Sequence, residues 1–346
     1  FDALKKTSDL TLFVPVPAGE YRGISICLKA GDTIEWEHES ETAYNKVSRK
    51  SMKLMPTITI GTASGEIDNS IESSKELQAA LDKGGDVKLT NSLTLTENLV
   101  VKGTSNLNLN GMGLTLNGYT IKVSENGKLH LINDAEAVTR TQSSNGSIKG
   151  SADIITASKG AEITIEEGVK LSSEGNCCIF IPSGAENVTV NTAGELSTSN
   201  SGYATIYVNG NVRSATINVN GGSITNNENT AIYAAGNTEL TIDGGAYISG
   251  TSSVEIRAGK LTVNSGTFDS TGEFSVTENG NGSVTSGVDI AVCQHSTGHN
   301  LTAEINGGSF NGLRNVYASA YGSNTNVSVK VNGGTYTDAS AFDYLN

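Results

Sequence analysis

The residues of this chain that could carry out acid–base chemistry are a Glu and an Arg two positions apart, followed by an Asp. Glu255 and Arg257 alternate with apolar residues in Val254-Glu255-Ile256-Arg257, so both side chains lie on one face of a predicted strand. Asp289 comes in a later strand. Cleavage of a polysaccharide needs two carboxylates, or acids beside a basic group, on one face of neighbouring strands. These three residues are therefore the catalytic candidates.

Three potential metal ligands lie close together in a polar loop. They are Cys293, His295 and His299. Thiolate and imidazole groups are the ligands that zinc prefers, but the sequence offers no fourth ligand near them. The alternative interpretation is that the two histidines are ordinary polar residues of a loop at a coil corner and bind no metal. We predict no bound metal and no cofactor, and name these three as the candidates if a metal is bound.

Aromatic residues recur at one position of successive repeats. Each has aliphatic neighbours on both sides, as in Ile206-Tyr207-Val208, so we expect the aliphatic residues inside and the rings outside. Exposed rows of rings suit the flat apolar faces of an uncharged polysaccharide. The alternative is that stacked rings only stabilise the sheet. The predicted ligand-binding residues are Phe180, Tyr207, Tyr233 and Tyr317.

The repeats that align these residues end in Asn or Asp followed by Gly. Examples are Ile217-Asn218-Val219-Asn220-Gly221-Gly222 and Leu240-Thr241-Ile242-Asp243-Gly244-Gly245. The first glycines of four consecutive pairs of copies are 26 (168 to 194), 27 (194 to 221), 23 (221 to 244) and 26 (307 to 333) residues apart, a period typical of solenoids. Three short strands per repeat predict an all-β fold, a parallel β-helix of roughly ten coils. We expect it to be right-handed, because parallel crossovers almost always are.

The Asn or Asp of each turn forms a column in this alignment. The column contains Asn220, Asp243, Asn264, Asn306 and Asn332. Amides stacked one coil apart can hydrogen-bond to each other and to the backbone of the turn. A calcium site is the alternative, but the Gly-Gly-x-Gly-x-Asp repeat of calcium-binding β-rolls is absent from the sequence. We predict a structural ladder.

Three segments follow from the patterning. Residues 1–62 read as a small antiparallel β segment, part of a sandwich, and residues 63–73 as a linker. Residues 74–346 form the β-helix, which begins with a capping helix at 74–83. Ser73 and Glu76 form a capping box for that helix, and Gly84 can end it. We expect the helix to cover the open end of the first coil.

Composition excludes several classes of protein. The 346 residues include 40 Gly and only 4 Pro, and the net charge is −13. An acidic surface repels phosphate backbones, so nucleic-acid binding is not expected. No apolar run is long enough to span a membrane. The four cysteines have no disulfide spacing, and because the chain opens at Phe1 we expect a processed piece of a larger protein.

Two parts of the chain resemble known families. Lys75-Glu76-Leu77-Gln78-Ala79-Ala80-Leu81, with the Asn-Gly-Gly coils that follow, resembles the pectin-lyase-like β-helix superfamily over residues 74–346. That resemblance implies a substrate groove on the outer sheet, although the superfamily's Asp-Asp, Gly-His-Gly and Arg-Ile-Lys motifs are absent. A second resemblance is carried by Phe13-Val14-Pro15-Val16-Pro17-Ala18-Gly19-Glu20-Tyr21-Arg22-Gly23 and Leu54-Met55-Pro56-Thr57-Ile58-Thr59-Ile60. Over residues 10–60 the chain is similar to the C-terminal part of fimbrillin-like surface domains of Bacteroides-type bacteria. This implies an exported protein of the bacterial cell surface.

Three functions are compatible with these observations. The first is a non-catalytic, secreted cell-surface protein, an adhesin or carbohydrate-binding module, whose partner is a polysaccharide or a host or microbial glycan. The second is a polysaccharide lyase or glycoside hydrolase that uses Glu255, Arg257 and Asp289. The third is a passive stalk. All three rest partly on analogy of fold.

Overall fold

The computed structural model describes residues 71–134, 146–324 and 326–338, together with the backbone of four strands in residues 19–47. The chain divides into two units, Phe1–Ser70 and Ile71–Asn346. In the first unit two antiparallel pairs are formed, Gly19–Tyr21 with Asn45–Val47 and Ile24–Ala30 with Thr33–Ser40. The remainder of the β segment predicted at 1–62, and residues 63–70 of the predicted linker, lie outside the described residues.

The second unit begins with one α-helix, Ser74–Lys83. The Ser73 hydroxyl accepts a hydrogen bond from the Glu76 amide, and Gly84 ends the helix at φ 73°. Gln78 joins the helix to the first coil, because its Nε2 donates to the Val100 carbonyl (2.9 Å) and its Oε1 accepts from the Val100 amide (2.7 Å). The side-chain amide thus pairs with the backbone of an edge strand, which would otherwise be open to association.

The rest of the second unit is a parallel β-helix, as predicted. The coils contribute one strand each to a nine-stranded sheet, sheet A. To an 18-stranded sheet, sheet B, they contribute either two short strands or one long strand, the long ones being Thr238–Ser249 and Gly259–Ser270. The strands of sheet A are Leu99–Val101, Ile121–Val123, Ile155–Ala157, Ile179–Ile181, Ile206–Val208, Ile232–Ala234, Ser252–Ile256, Val288–Cys293 and Arg314–Ser319. Those of sheet B are Gly85–Lys88, Leu93–Thr94, Thr104–Asn108, Gly113–Thr115, Lys128–Ile132, Ser147–Gly150, Glu162–Ile165, Lys170–Ser173, Val188–Thr192, Glu195–Thr198, Ala215–Val219, Ser223–Asn226, Thr238–Ser249, Gly259–Ser270, Leu301–Ile305, Ser309–Phe310, Val327–Val331 and Thr335–Tyr336.

The core is a set of aliphatic columns, because residues one coil apart pair directly across the sheets. In sheet A, Ile179 pairs with Ile206 and Ile206 with Ile232, and all three are fully buried. Alternate residues of the same strands point outward and are only half-buried. Each coil therefore buries its apolar side by stacking on its neighbours, which is the energetic basis of a solenoid.

A row of aromatic rings continues the core toward the C-terminal coils. Tyr247, Phe268, Phe310 and Tyr336 stack with centroids 4.7 to 4.9 Å apart and ring planes within 8°. The glycines of the turns lie against these rings. A Cβ atom at Gly266 would lie 3.2 to 3.3 Å from the Phe268 and Tyr247 rings, and the φ angle of Gly266 is 128°. Glycine is required there both by space and by backbone conformation.

The ladder predicted for the turn residues is confirmed from Asp243 to Asn332. Asn264 Nδ2 donates to Asp243 Oδ1 (2.6 Å), Asn306 Nδ2 to Asn264 Oδ1 (2.9 Å) and Asn332 Nδ2 to Asn306 Oδ1 (2.7 Å). The left-handed backbone of these turns is taken by glycines and not by the Asn column. These amides hydrogen-bond to one another from coil to coil, so the column is structural.

One coil contains an insertion that the repeat pattern did not predict. Between two strands of sheet A, the antiparallel strands Ser275–Asn279 and Gly282–Ser286 form a β-hairpin, here called the cover hairpin. Its return strand lies on the outer side of sheet A. Ser283 Oγ bonds to Ser319 Oγ (2.8 Å), and Thr285 Oγ1 to Ser252 Oγ (2.9 Å).

Candidate functional site

Three of the predicted aromatic residues form a continuous row on the outer side of sheet A. The strand register pairs Phe180 with Tyr207 and Tyr207 with Tyr233. The ring centroids are 5.9 Å apart in the first pair and 5.0 Å in the second, where the planes are inclined by 29°. All three side chains are half-buried, so each remains partly accessible to solvent.

A fourth ring, which sequence analysis missed, extends the row sideways. Tyr203 lies in the turn before the Tyr207 strand and meets the Tyr207 ring edge-on, with centroids 5.9 Å apart. Its exposed fraction is 43%. Asn200 Oδ1 fixes the turn by accepting the amides of Gly202 and Tyr203. Phe180, Tyr203, Tyr207 and Tyr233 together are called the aromatic platform.

The hydroxyl groups of Tyr207 and Tyr233 remain protonated under physiological conditions. Burial raises the pKa of Tyr207, and burial also raises the pKa of Tyr233 to about 12 against the opposing charge of Arg257. A neutral phenol can both donate and accept a hydrogen bond. The platform therefore offers apolar ring faces together with uncharged polar groups.

The next position in the column after Tyr233 is Glu255, which is covered. Glu255 and Arg257 do share the outer face with the rings, but their residues are only 2% and 1% exposed. Arg257 Nη1 donates to Glu255 Oε1 (3.1 Å), and its Nη2 donates to the Asn281 carbonyl in the cover hairpin (2.6 Å). The expectation that this Glu and Arg face a substrate is therefore corrected: the hairpin closes them off.

Tyr317 occupies the same column but does not belong to the platform. Glu255 and Ala291 lie between it and Tyr233 in the register, and both are buried. Tyr317 packs instead against a small apolar cluster that includes Ala291, and its ring lies 6.2 Å from that of Phe274 at the base of the cover hairpin. The predicted four-residue row is thus divided in two by the hairpin.

Asp289 has a different environment from that of Glu255. Its Oδ1 accepts the Ser270 amide (2.9 Å), while its Oδ2 accepts the Gly312 amide (2.9 Å) and Asn315 Nδ2 (3.0 Å). Burial raises its pKa to about 6 despite these bonds. The side chain is fully buried and joins three successive coils at a corner. The proposed pairing of Asp289 with Glu255 in one catalytic site receives no support from these contacts.

The three candidate metal ligands do not converge on a common site. Cys293 is fully buried beneath the cover hairpin, and burial raises the pKa of its thiol to about 12. His295 is half-buried, with its Nδ1 accepting the Thr297 amide (3.2 Å), whereas His299 is exposed. Among the described residues no group of three His, Cys, Asp or Glu side chains is arranged to hold a metal ion. Cys177 and Cys178 are buried free thiols.

Sheet B carries a separate shallow depression of about 320 Å³. It is lined by hydroxyl groups of Ser172, Ser197 and Thr225 and by the charged side chains Lys170 and Glu195. The two charged groups pair with each other at 2.8 Å. The depression is wide and polar and contains no ring, so it offers less apolar contact to a ligand than the aromatic platform does.

Comparison with family models, with curated proteins and with solved structures finds no match to this chain. Within the described residues there is no helix with the length and hydrophobicity that a membrane crossing requires. The fold and the contacts described above are therefore what supports any function.

The cover hairpin was missed because it interrupts the repeat. The interval from Tyr233 to Glu255 in the column is 22 residues and that from Ala291 to Tyr317 is 26, but Glu255 to Ala291 takes 36. This excess is the sequence signal of an insertion. Tyr203 gave no signal of its own, because it lies in a turn outside the strand pattern.

Proposed function

We propose that this protein is a non-catalytic module that binds a neutral glycan on the aromatic platform. The single observation that carries the proposal is the row of rings Phe180, Tyr207 and Tyr233, whose centroids lie 5.0 to 5.9 Å apart and whose side chains are half-buried. Three rings of the core aromatic row, Tyr247, Phe268 and Phe310, are fully buried and belong to the apolar interior. The platform rings lie outside that interior on half-buried positions, and sugar rings stack on such faces.

The charge of the protein favours an uncharged ligand. With a net charge of −13, the surface repels polyanions such as uronic acid polymers. Arg257, whose charge acts on Tyr207 and Tyr233, is 1% exposed and already paired with Glu255. A neutral polysaccharide needs neither a cation nor a metal bridge, because ring faces and uncharged donors are sufficient for it.

Catalysis is the less favoured alternative. A general acid must reach the proton that it transfers, within hydrogen-bonding distance or through one water. Burial does raise the pKa of Glu255 to about 7, as an acid catalyst requires, but its carboxyl group is enclosed by Arg257 and the cover hairpin. A passive stalk would explain the coils and would leave the exposed rings without a role.

The cellular setting is part of the same proposal. The similarity of residues 10–60 to fimbrillin-like domains and of residues 74–346 to the pectin-lyase-like superfamily supports an exported adhesin or glycan-binding protein of a bacterial cell surface. The acidic composition and the small number of charged residues, 17%, agree with a surface protein of this kind. The glycan would then belong to a host or to a neighbouring microbe.

The test is retention on immobilised neutral glucan, xylan and mannan, measured by affinity electrophoresis and confirmed by titration calorimetry. Tyr207→Ala removes the central ring, which contacts three others, and we expect it to weaken binding at least tenfold. Tyr317→Ala is the matched control, since it removes a ring of the same column on the far side of the cover hairpin. Equal loss in both variants, or no retention of the wild-type protein by any glycan, would exclude the platform as a binding site.

An assay for release of reducing or unsaturated sugar ends on the same polysaccharides tests the alternative. We expect no release above background. Release that disappears in Glu255→Gln would establish the enzyme instead and would require the cover hairpin to open.

A further inference from the structure

The aromatic platform is open at one end and closed at the other. On the N-terminal side of Phe180 the column continues with Thr156 and Lys122, which are half-buried and exposed. On the C-terminal side it stops at Glu255, which the cover hairpin covers through the bond from Arg257 to the Asn281 carbonyl. A chain that lies along the rings can leave the platform in one direction only.

A polar side chain, His295, lies near the turn that follows the Tyr207 strand. The His295 ring reaches back toward the Tyr207 coil, because a Cβ atom at Gly210 would lie 2.9 Å from His295 Nε2. The Thr297 amide donates to His295 Nδ1, so the ring proton resides on Nε2. Burial, with the nearby Arg257 and His299, lowers the pKa of His295, which keeps the imidazole neutral.

The loop that carries His295 is held rigidly. Gln294 is fully buried, and its side chain donates to the His299 carbonyl and to Asn326 Oδ1 while accepting the Tyr321 amide. The amide of His295 itself donates to the Arg257 carbonyl (2.9 Å). A donor on a fixed loop beside an apolar platform can orient one hydroxyl of a bound sugar.

The length of the platform is small compared with a polysaccharide. Two strand spacings separate Phe180 from Tyr233, a span of about 10 Å, which accommodates roughly two sugar rings. A binding site that recognises the interior of a long chain must be open at both ends. In this site the cover hairpin occupies the place where a third sugar ring would lie.

We propose that the site binds the terminal sugars of a neutral glycan and not an interior segment, with the cover hairpin stopping the chain and His295 Nε2 donating to a hydroxyl of the end sugar. This inference rests on the proposed function, because it specifies which part of a glycan the aromatic platform takes.

The stoichiometry of binding tests the proposal without any substitution. A neutral oligosaccharide series that the wild-type protein retains, of glucan, xylan or mannan type, is titrated by calorimetry as disaccharide, tetrasaccharide, octasaccharide and soluble polymer. End recognition gives one protein per chain at every length and an affinity that stops rising after the first few sugars. A number of bound proteins that grows with chain length would overturn the inference and leave the proposed function intact. Failure of every length to bind would instead remove the proposed function.

A second pair of variants tests His295. We expect His295→Ala to weaken binding of the tetrasaccharide roughly threefold to tenfold, the usual effect of one hydrogen bond. His299→Ala is the matched control, since it removes an exposed imidazole four residues along the same loop. Equal affinities of the two variants would contradict the role given to His295.

Removal of the cover hairpin tests its role directly. A Cβ atom at Gly287 would lie 2.6 Å from the Gly272 carbonyl, so the two ends of the inserted segment are adjacent and residues 273–286 can be excised. Because excision uncovers the buried ion pair, Glu255→Gln and Arg257→Gln accompany it. We expect the excised protein to bind several copies per long chain; a stoichiometry that stays at one would show that the hairpin is not what stops the chain.

Discussion

Arg257 and Glu255 form a buried ion pair on the outer face of a sheet that is elsewhere exposed. Their side chains are two residues apart in one strand, 3.1 Å apart at the closest atoms, and only 1% and 3% exposed. The second terminal nitrogen of Arg257 donates to Asn281. The pair therefore connects sheet A to the cover hairpin, and this connection closes the aromatic platform.

We expect Arg257→Met to lower the free energy of unfolding by about 3 to 5 kcal/mol, because it leaves the Glu255 carboxyl buried without a partner. Urea denaturation measures the change. The control is Lys170→Met, which breaks the exposed pair of Lys170 with Glu195 and should cost at most about 1 kcal/mol. Similar losses of unfolding free energy in the two variants would mean that burial of the pair between Arg257 and Glu255 does not affect stability.

The pH dependence of stability should contain a contribution from Glu255 with a defined sign. Burial raises its pKa from 4.5 to about 7 in the folded protein, so between these values the folded state holds the proton more tightly than the unfolded state. This contribution to stability is complete below pH 4.5 and is lost as the pH rises to about 7.

The measurement compares wild type with Glu255→Gln by denaturation across that range. Glutamine keeps the acceptor for Arg257 and does not titrate, and every other group cancels in the difference. We expect the stability of wild type relative to the variant to fall between pH 4.5 and 7. A difference that is constant or that rises with pH would contradict the assigned shift.

Asp289 should be required for stability and not for binding. In Asp289→Asn an amide NH₂ replaces an oxygen that accepts hydrogen bonds from buried donors. We expect the free energy of unfolding to fall by about 2 to 4 kcal/mol. Glycan affinity of the folded variant should remain unchanged. Asp243→Asn serves as the control, because this exposed carboxylate accepts only from the neighbouring Asn264 and its replacement should cost less than about 0.5 kcal/mol. A variant Asp289→Asn that is as stable as wild type would refute the structural role.

The two aromatic rows should respond differently to truncation. Phe268 is fully buried between Tyr247 and Phe310. Phe268→Ala should therefore lower the free energy of unfolding by about 3 to 5 kcal/mol. Phe180→Ala removes a half-exposed ring, and its stability should change far less while its glycan affinity falls. Hydrogen exchange should locate the effect of Phe268→Ala in the adjoining coils. If both variants lose the same stability, the platform rings are structural.

The alternation of residues in single strands was sufficient to predict much of this architecture. Ile206 and Val208 were expected inside and Tyr207 outside, and stacking of identical strands leaves no other register that buries the aliphatic pair. The capping helix was also predictable, because Ser73, Glu76 and Gly84 act through local hydrogen bonds. In both cases the determining interactions lie within a few residues or one repeat.

What could not be predicted depends on contacts between distant parts of the chain. Glu255 sits in the ring column by its position in the strand, but its burial comes from Asn281 and the hairpin around it, which follow no repeat. Sequence alternation indicates which face a side chain takes and does not reveal what lies above that face. Tyr317 and Tyr233 do lie in one column, as predicted, but the hairpin between them could not be predicted for the same reason.

The insertion has an evolutionary consequence. The column resumes after the cover hairpin with Ala291 and Tyr317 in register, so the added residues leave the stacking of the coils undisturbed. A hairpin transferred to the corresponding corner of an earlier or later coil would shorten or lengthen the ring row by one strand spacing. Ligand length could therefore diverge among descendants of such a protein by relocation of a single loop, while the aliphatic interior stays the same.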